Sequence, residues 1–129
     1  MTEGIKTIHV ALQYYDRKQA EIFFNKILKL PFIKTFDVSK ELSNIIFKIS
    51  EDVTVDVYGN KEACFEVFFT KKQTKYSFEH TCIEINDKKE FIKRCKKYGI
   101  KPIFVKKDSK TLLFVKDLAG NLFEIKEKQ

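Results

Sequence analysis

Two stretches of the chain share the same order of hydrophobic and polar positions. Each opens with a run of strand-like residues, Ile5–Gln13 in the first half and Phe78–Ile85 in the second. Each run is followed by an aspartate and then by apolar residues at helical spacing. A repeat of this kind predicts two copies of one structural unit.

The two aspartates are predicted to begin helices as N-caps. The first helix is predicted from Asp16 to about Leu28 and the second from Asp87 to about Tyr98. Three residues after each aspartate stands a glutamine or a glutamate, as in a capping box. Gly99 is predicted to end the second helix, because glycine accepts the left-handed conformation that often follows a helix.

Strand-like segments follow both helices. In the first half they are Phe32–Val38, Ile45–Ile49, Val53–Tyr58 and Cys64–Thr70, with a helical turn as the alternative around Ser39–Ile49. In the second half they are Pro102–Lys106, Thr111–Lys116 and Leu122–Lys126. Both halves also end alike, with Gly59-Asn60 before Phe65-Glu66-Val67 and Gly120-Asn121 before Phe123-Glu124-Ile125.

This order predicts a single domain over residues 1–129, built from two βαβββ modules. Module 1 covers about residues 5–70 and module 2 about residues 78–127. Units of about 60 residues bury little core alone, so the two are expected to pack together. We predict an α+β fold with a mixed sheet that curls around a cleft.

Composition places the protein among soluble cytoplasmic domains. The hydrophobic fraction of 43% excludes a disordered chain, and no apolar run is long enough to span a membrane. The first ten residues do not resemble a secretory signal. Three cysteines without a CxxC spacing are typical of reduced thiols.

The net charge of +7 does not indicate a nucleic-acid partner. Of the 25 basic residues only Arg17 and Arg94 are arginines, and the lysines are scattered among 18 acids. The dense cluster at Lys93-Arg94 and Lys96-Lys97 fits the solvated face of a helix. A small molecule is the predicted partner, and a lysine-rimmed site for an anionic one stays open.

Four residues at equivalent positions of the repeat could bind a metal. The only two histidines, His9 and His80, fall in the first predicted strand of each module, and Glu66 and Glu124 fall in the last. Two imidazoles and two carboxylates related by a pseudo-twofold axis suit a divalent first-row metal such as Ni, Co, Zn, Mn or Fe. Such an ion would leave two positions for neighbouring substrate oxygens.

Each of these residues alone would more ordinarily be a hydrogen-bonded histidine or a solvated glutamate. Their equivalent positions favour the metal site. Asp56 is an alternative to Glu66 if the strand assignment shifts. Cys64 and Cys82 share a strand face with the proposed ligands, and we interpret them as small core residues rather than as ligands.

The chain resembles the vicinal oxygen chelate superfamily, which includes glyoxalases, epimerases, extradiol dioxygenases and the bleomycin- and fosfomycin-resistance proteins. The resemblance spans about Ile5 to Lys126. It is carried by the two modules, by the ending Asp117–Glu124 (DLAGNLFE), similar to DPxGNxxE, and by ILKLPF from Ile27, similar to LGxxF. Leu118 replaces the usual proline and Lys29 the usual glycine, and the second change implies either a strained left-handed helix cap or a helix that ends differently.

The resemblance implies metal ligands at His9, Glu66, His80 and Glu124. A set of two histidines and two glutamates is most similar to bacterial-type glyoxalases. It implies a metal-dependent lyase or isomerase that abstracts a proton next to a carbonyl, through a metal-bound enediolate. Glu124, or otherwise Glu66, would be the general base. The alternatives are a binding protein of the bleomycin-resistance type that sequesters a small molecule, and an Fe(II) extradiol dioxygenase.

The assembly follows from the division of ligands between modules. Each module supplies one histidine and one glutamate, so a complete site needs a first module facing a second. The short connector Thr70–Ser77 allows that pairing within one chain or between two. Resemblance to the bacterial glyoxalases favours a homodimer whose sites combine ligands from both subunits.

Overall fold

Residues 4, 6–71 and 78–129 are described in the computed structural model of the chain. Their elements follow the order β1 (Val10–Tyr14), α1 (Arg17–Glu21, continued by a π-helical segment Ile22–Ile27), β2 (Phe32–Val38), α2 (Lys40–Phe47), β3 (Val53–Gly59), β4 (Cys64–Phe69), β5 (Thr81–Ile85), α3 (Lys88–Lys97), β6 (Ile103–Lys107), β7 (Lys110–Lys116) and β8 (Leu122–Glu127). This is the α+β arrangement of two βαβββ modules predicted from the repeat.

The two modules have the same sheet topology. The strand order is β1-β4-β3-β2 in module 1 and β5-β8-β7-β6 in module 2. In each sheet the first strand pairs in parallel with the last, and the other pairs are antiparallel. The repeat seen in the sequence is therefore a repeat of mixed four-stranded sheets.

The helix boundaries agree with the capping residues. The carboxylate of Asp16 accepts hydrogen bonds from the backbone amides of Lys18 and Gln19, and that of Asp87 accepts one from the amide of Glu90. Gly99 follows α3 with a φ of +82°. Both predicted N-caps and the predicted stop at Gly99 are confirmed.

The prediction of a strand at Ile45–Ile49 is wrong, and the helical alternative is correct. Helix α2 occupies Lys40–Phe47, and the Ser39 hydroxyl accepts a hydrogen bond from the amide of Leu42. A short apolar run has no period by which strand and helix can be told apart, so the cap decides between them. Module 2 has only a tight turn between β6 and β7, and α2 is therefore an insertion that breaks the repeat.

Each sheet has one face turned toward α1 or α3, which we call the core face. Phe65 of β4 and Phe123 of β8 lie on it, with ring centroids 5.9 Å apart. Phe23 of the π-helical segment packs against Phe123 at 5.1 Å, and Arg94 of α3 donates from Nε to the carbonyl oxygen of Ile27 at 2.9 Å. The modules are thus joined through their helices and core faces.

No helix among the described residues is long enough and apolar enough to cross a membrane. Most of the predicted connector Thr70–Ser77, and Ile5 of the first predicted strand, lie outside the described residues.

Candidate metal site

The opposite face of each sheet carries the candidate ligands, and we call it the site face. Glu66 lies between the core residues Phe65 and Val67 of β4, and Glu124 lies between Phe123 and Ile125 of β8. Because strand side chains alternate, both glutamates point away from the core faces, on which α1 and α3 pack. Both are half-buried, with 19% and 18% of their side chains exposed.

The histidines stand one residue before the first strand of their modules, rather than within it as predicted. His9 precedes Val10, which pairs with Phe65, and His80 precedes Thr81, which pairs with Phe123. The register of the parallel pair is therefore identical in the two modules. This register brings each histidine beside the glutamate of its own module.

Within each pair, the histidine and the glutamate lie close enough to bind the same ion. Nε2 of His9 lies 3.1 Å from Oε1 of Glu66, and Nε2 of His80 lies 3.7 Å from Oε1 of Glu124. Nitrogen and oxygen donors at about 2.1 Å from an ion, and at right angles to each other, are themselves about 3.0 Å apart. The first pair meets this spacing, and the second is somewhat wider.

The ring orientation of His80 also suits a metal. Its Nδ1 lies 3.0 Å from the carbonyl oxygen of Phe78. A carbonyl only accepts hydrogen bonds, so Nδ1 is the donor in this contact, and in a neutral imidazole this leaves the lone pair on Nε2, the nitrogen that lies toward Glu124. A hydrogen bond from the remote ring nitrogen is the usual support of a metal-binding histidine. The donors present therefore fit a divalent metal.

One chain does not bring the four candidate ligands together. Among the described residues, no three His, Cys, Asp or Glu side chains converge on a point where an ion could bind. Each module thus presents a half-site of one histidine and one glutamate. The assignment of His9, Glu66, His80 and Glu124 as ligands stays a prediction.

Asp56 is not an alternative to Glu66. It lies on the core face, paired with Val67, and is only 2% exposed. Arg17 binds it in a bidentate contact, with Nε 2.8 Å from Oδ2 and Nη2 2.6 Å from Oδ1. Its carboxylate is therefore satisfied on the far side of the sheet.

Cys64 and Cys82 lie beside the half-sites, and the interpretation of Cys82 as a core residue is wrong. Cys82 is exposed and pairs with Glu124 across the parallel strands, whereas Cys64 is half-buried next to Glu66. Both lie on the site faces and not on the core faces. Local burial raises the pKa of each thiol, and the neighbouring glutamate raises it further.

A lysine that sequence reasoning did not single out adjoins the second half-site. Nζ of Lys126 lies 3.3 Å from Oε2 of Glu124. Lys126 also lines an open depression with Glu84, Lys110 and Leu112 on module 2. Strand alternation could have found it, because it stands two residues after Glu124 on the same face.

Solved structures with the same overall fold were found. A glyoxalase family protein from Enterococcus faecalis matches 93% of this chain and 95% of its own, with 15% sequence identity and a TM-score of 0.70. A glyoxalase family protein from Bacillus cereus matches 98% of both chains, with 15% identity and a TM-score of 0.70. The chain has the vicinal oxygen chelate fold. No protein-family profile and no curated protein sequence matches it.

A third structure with this fold contains a bound metal ion and a small-molecule ligand. It is a mutant of the fosfomycin resistance protein FosX from Listeria monocytogenes, in complex with Mn(II) and 1S,2S-dihydroxypropylphosphonic acid. It matches 100% of this chain and 95% of its own, with 14% identity and a TM-score of 0.72. At this identity the likeness establishes the fold and not the activity.

Proposed function

We propose that this protein is a divalent-metal-dependent, glyoxalase-like lyase or isomerase. It would act on a small molecule with two adjacent oxygens. The observation that carries the proposal is the pair of half-sites, His9 with Glu66 and His80 with Glu124, held in the same register in both modules. The only two histidines of the sequence thus make equivalent contacts in the two modules.

A homodimer would complete the site. The modules of one chain join through their core faces, and no three candidate ligands meet among the residues described. A second copy can bring its module 2 to the site face of module 1, so that two half-sites meet. Twofold symmetry then creates two equivalent sites.

The residues would divide the chemistry between them. When bound, a divalent metal supplies Lewis-acid stabilisation of negative charge on the substrate oxygens. His9 and His80 would hold it through Nε2, with the hydrogen bond from Nδ1 to Phe78 fixing the second ring. Oε2 of Glu124, the oxygen that faces Lys126, would accept the proton from the substrate carbon next to the carbonyl. Before this proton transfer, Lys126 would balance the negative charge of the Glu124 carboxylate.

A second candidate is a fosfomycin-resistance activity on an anionic phosphonate. The lysines of the site faces favour it: Lys126 adjoins Glu124, and Lys34 pairs with Val57, the neighbour of Glu66 across the sheet. Lysine is a frequent partner of phosphate-like groups. The named ligand of the FosX complex belongs to that protein, and here it only suggests which substrate to test.

Metal titration of the purified protein tests the proposal. We expect calorimetry with Mn(II), Co(II), Ni(II) and Zn(II) to show at least one tight ion per chain. His80→Ala and Glu66→Gln should each weaken the binding more than about tenfold. The variant Glu90→Gln on the exposed side of α3, away from the site faces, should leave it unchanged. Wild-type protein that binds none of the four metals would overturn the metal site.

Two activity assays then separate the candidates. One follows proton exchange and product formation from dicarbonyl hemithioacetals and acyl-CoA thioesters. The other follows the disappearance of fosfomycin in the presence of water or a thiol. Glu124→Gln should abolish the first activity while retaining a folded protein. A metal-loaded protein inactive in both assays would contradict the enzyme hypothesis and favour a sequestering protein.

Mixing two inactive chains tests the shared site. His9→Ala and His80→Ala chains should each lose metal binding alone. After subunit exchange, the mixed dimer should recover one complete site, formed by the intact module 1 of one chain and the intact module 2 of the other. No recovery after verified exchange would contradict sharing between subunits.

A further inference from the structure

Helix α2 has the opposite pattern of burial from an ordinary surface helix. Its single buried residue is Ser43, whereas Ile45 is 76% and Ile46 57% exposed. Leu42, Phe47 and the following Ile49 are also exposed large hydrophobic residues. A surface helix normally turns its apolar side inward, and a contiguous exposed apolar surface marks an interaction site.

The inner side of α2 rests on the site face of module 1. The ring of Phe47 packs edge-on against Phe68 at 5.5 Å, and Phe68 stands two residues after Glu66 on the same face of β4. On the same face Val55, which pairs with Phe68 across the strands, is 0% exposed and Val57 is 4% exposed. The insertion thus lies beside the first half-site.

Within the described residues, module 2 has no helix inserted between its second and third strands to cover its site face. The residues equivalent to Val55 and Val57 are Leu112 and Phe114, and both are only half-buried. On the edge strand β6, Ile103 and Val105 pair with them and are 39% and 41% exposed. Their side chains therefore form an apolar strip on the site face, and an uncovered edge strand of this kind invites association.

We infer that the outer apolar side of α2, formed by Leu42, Ile45, Ile46 and Ile49, packs on the site face of module 2 in a second copy of the chain. The choice of a second copy rests on the proposed function. A shared site brings module 1 of one copy to the site face of module 2 of the other. That approach supplies each of the two uncovered apolar surfaces with a partner.

The geometry favours a second copy over a small ligand as the occupant. The outer apolar side of α2 belongs to module 1 and the apolar strip on β6 and β7 belongs to module 2, so each chain carries one of each. In a twofold dimer each chain both donates and receives a helix, so the contact closes without leaving an exposed copy of either surface. Hydrophobic burial of both surfaces would then contribute to association.

The inference is tested by the variant Ile45→Lys, with Glu41→Lys as the matched control on the same helix. Ile45 is the most exposed apolar residue of α2, so its replacement should leave the monomer folded, as checked by circular dichroism and thermal melting. Light scattering and sedimentation should show a dimer for wild-type protein and Glu41→Lys. For Ile45→Lys the dimer dissociation constant should rise at least about 100-fold. Ile46→Glu should behave in the same way.

Hydrogen exchange locates the contact. In the wild-type dimer, peptides from residues 40–49 and 103–115 should exchange more slowly than in the monomeric Ile45→Lys protein. A wild-type monomer, an unchanged dissociation constant for Ile45→Lys and Ile46→Glu, or protection absent from residues 103–115 would each overturn the inference. Metal titration of the same proteins tests the proposed function independently of the dimer contact. A dimer that depends on α2 but binds no metal would defeat the proposed function and leave this inference standing.

Discussion

The side chain of Asn121 donates from Nδ2 to the carbonyl oxygen of Gln13, 108 residues earlier in the chain, at 3.1 Å. The same nitrogen donates to Oδ2 of Asp117 at 2.9 Å, and Asp117 is only 5% exposed. Burial raises the pKa of Asp117, while hydrogen bonds from Asn121 oppose that shift. The Asn121 side chain thereby connects the β7–β8 turn of module 2 to the end of β1 in module 1 by a hydrogen bond.

Loss of this contact should destabilise the whole domain. We expect Asn121→Ala to lower the free energy of unfolding by about 1–3 kcal/mol, because Asp117 and the Gln13 carbonyl each lose a hydrogen-bond donor. Asn60 occupies the equivalent turn of module 1 and accepts hydrogen bonds from Glu62 and Ala63 within its own exposed loop. Asn60→Ala should therefore cost less. Urea unfolding measures both, and equal losses would contradict a role for Asn121 between modules.

The departure from the family pattern at Lys29 has a measurable cost. Lys29 has a φ of +62°, in the left-handed region that glycine adopts without strain. This agrees with the expectation of a strained left-handed cap. We expect Lys29→Gly to raise the free energy of unfolding by up to about 1 kcal/mol. Lys26→Gly, within the preceding helical segment, should lower it by about 1 kcal/mol. Thermal melting distinguishes them, and two changes of the same sign would exclude strain at Lys29.

The Arg17–Asp56 contact should be a major source of stability. Asp56 is buried on the core face, and Arg17 holds both of its carboxylate oxygens. Arg17→Ala would leave that charge buried without its partner, so we expect a loss of about 3 kcal/mol or more. Lys18→Ala, at an exposed neighbouring position, should change the free energy by less than about 0.5 kcal/mol. Chemical unfolding near pH 7 gives both values, and a small effect at Arg17 would show that Asp56 finds another donor.

Alkaline destabilisation should depend on Tyr58. Burial, with Asp56 adding to it, raises the pKa of Tyr58 from 10.0 to about 12. Between these values the unfolded chain releases the phenol proton while the folded chain keeps it, so stability falls as the pH rises through this interval. Tyr58→Phe should flatten that part of the stability curve, whereas the exposed Tyr15→Phe should not. An unchanged slope in Tyr58→Phe would assign the alkaline loss to other groups.

Much of the secondary structure could be predicted because its signals are local. Asp16, Asp87 and Gly99 mark helix ends through contacts with residues only a few positions away. The last three strands of module 2 are predicted within about one residue at each end, whereas β5 begins at Thr81 and not at Phe78 as predicted. The sequence leaves Ser39–Ile49 open between strand and helix, because its short apolar run fits both periods and the hydrogen bond from the Leu42 amide to the Ser39 hydroxyl is seen only in the structure.

The sequence by itself determined the repeat and the candidate donors, His9, Glu66, His80 and Glu124, since equivalent positions can be read directly along the chain. Only the tertiary structure decided which of them meet. The parallel register places each histidine beside the glutamate of its own module. Packing of Phe23 against Phe123 joins the modules through their core faces and leaves the half-sites apart. That outcome depends on contacts between residues far apart in sequence, and a local pattern of hydrophobic and polar positions does not encode it.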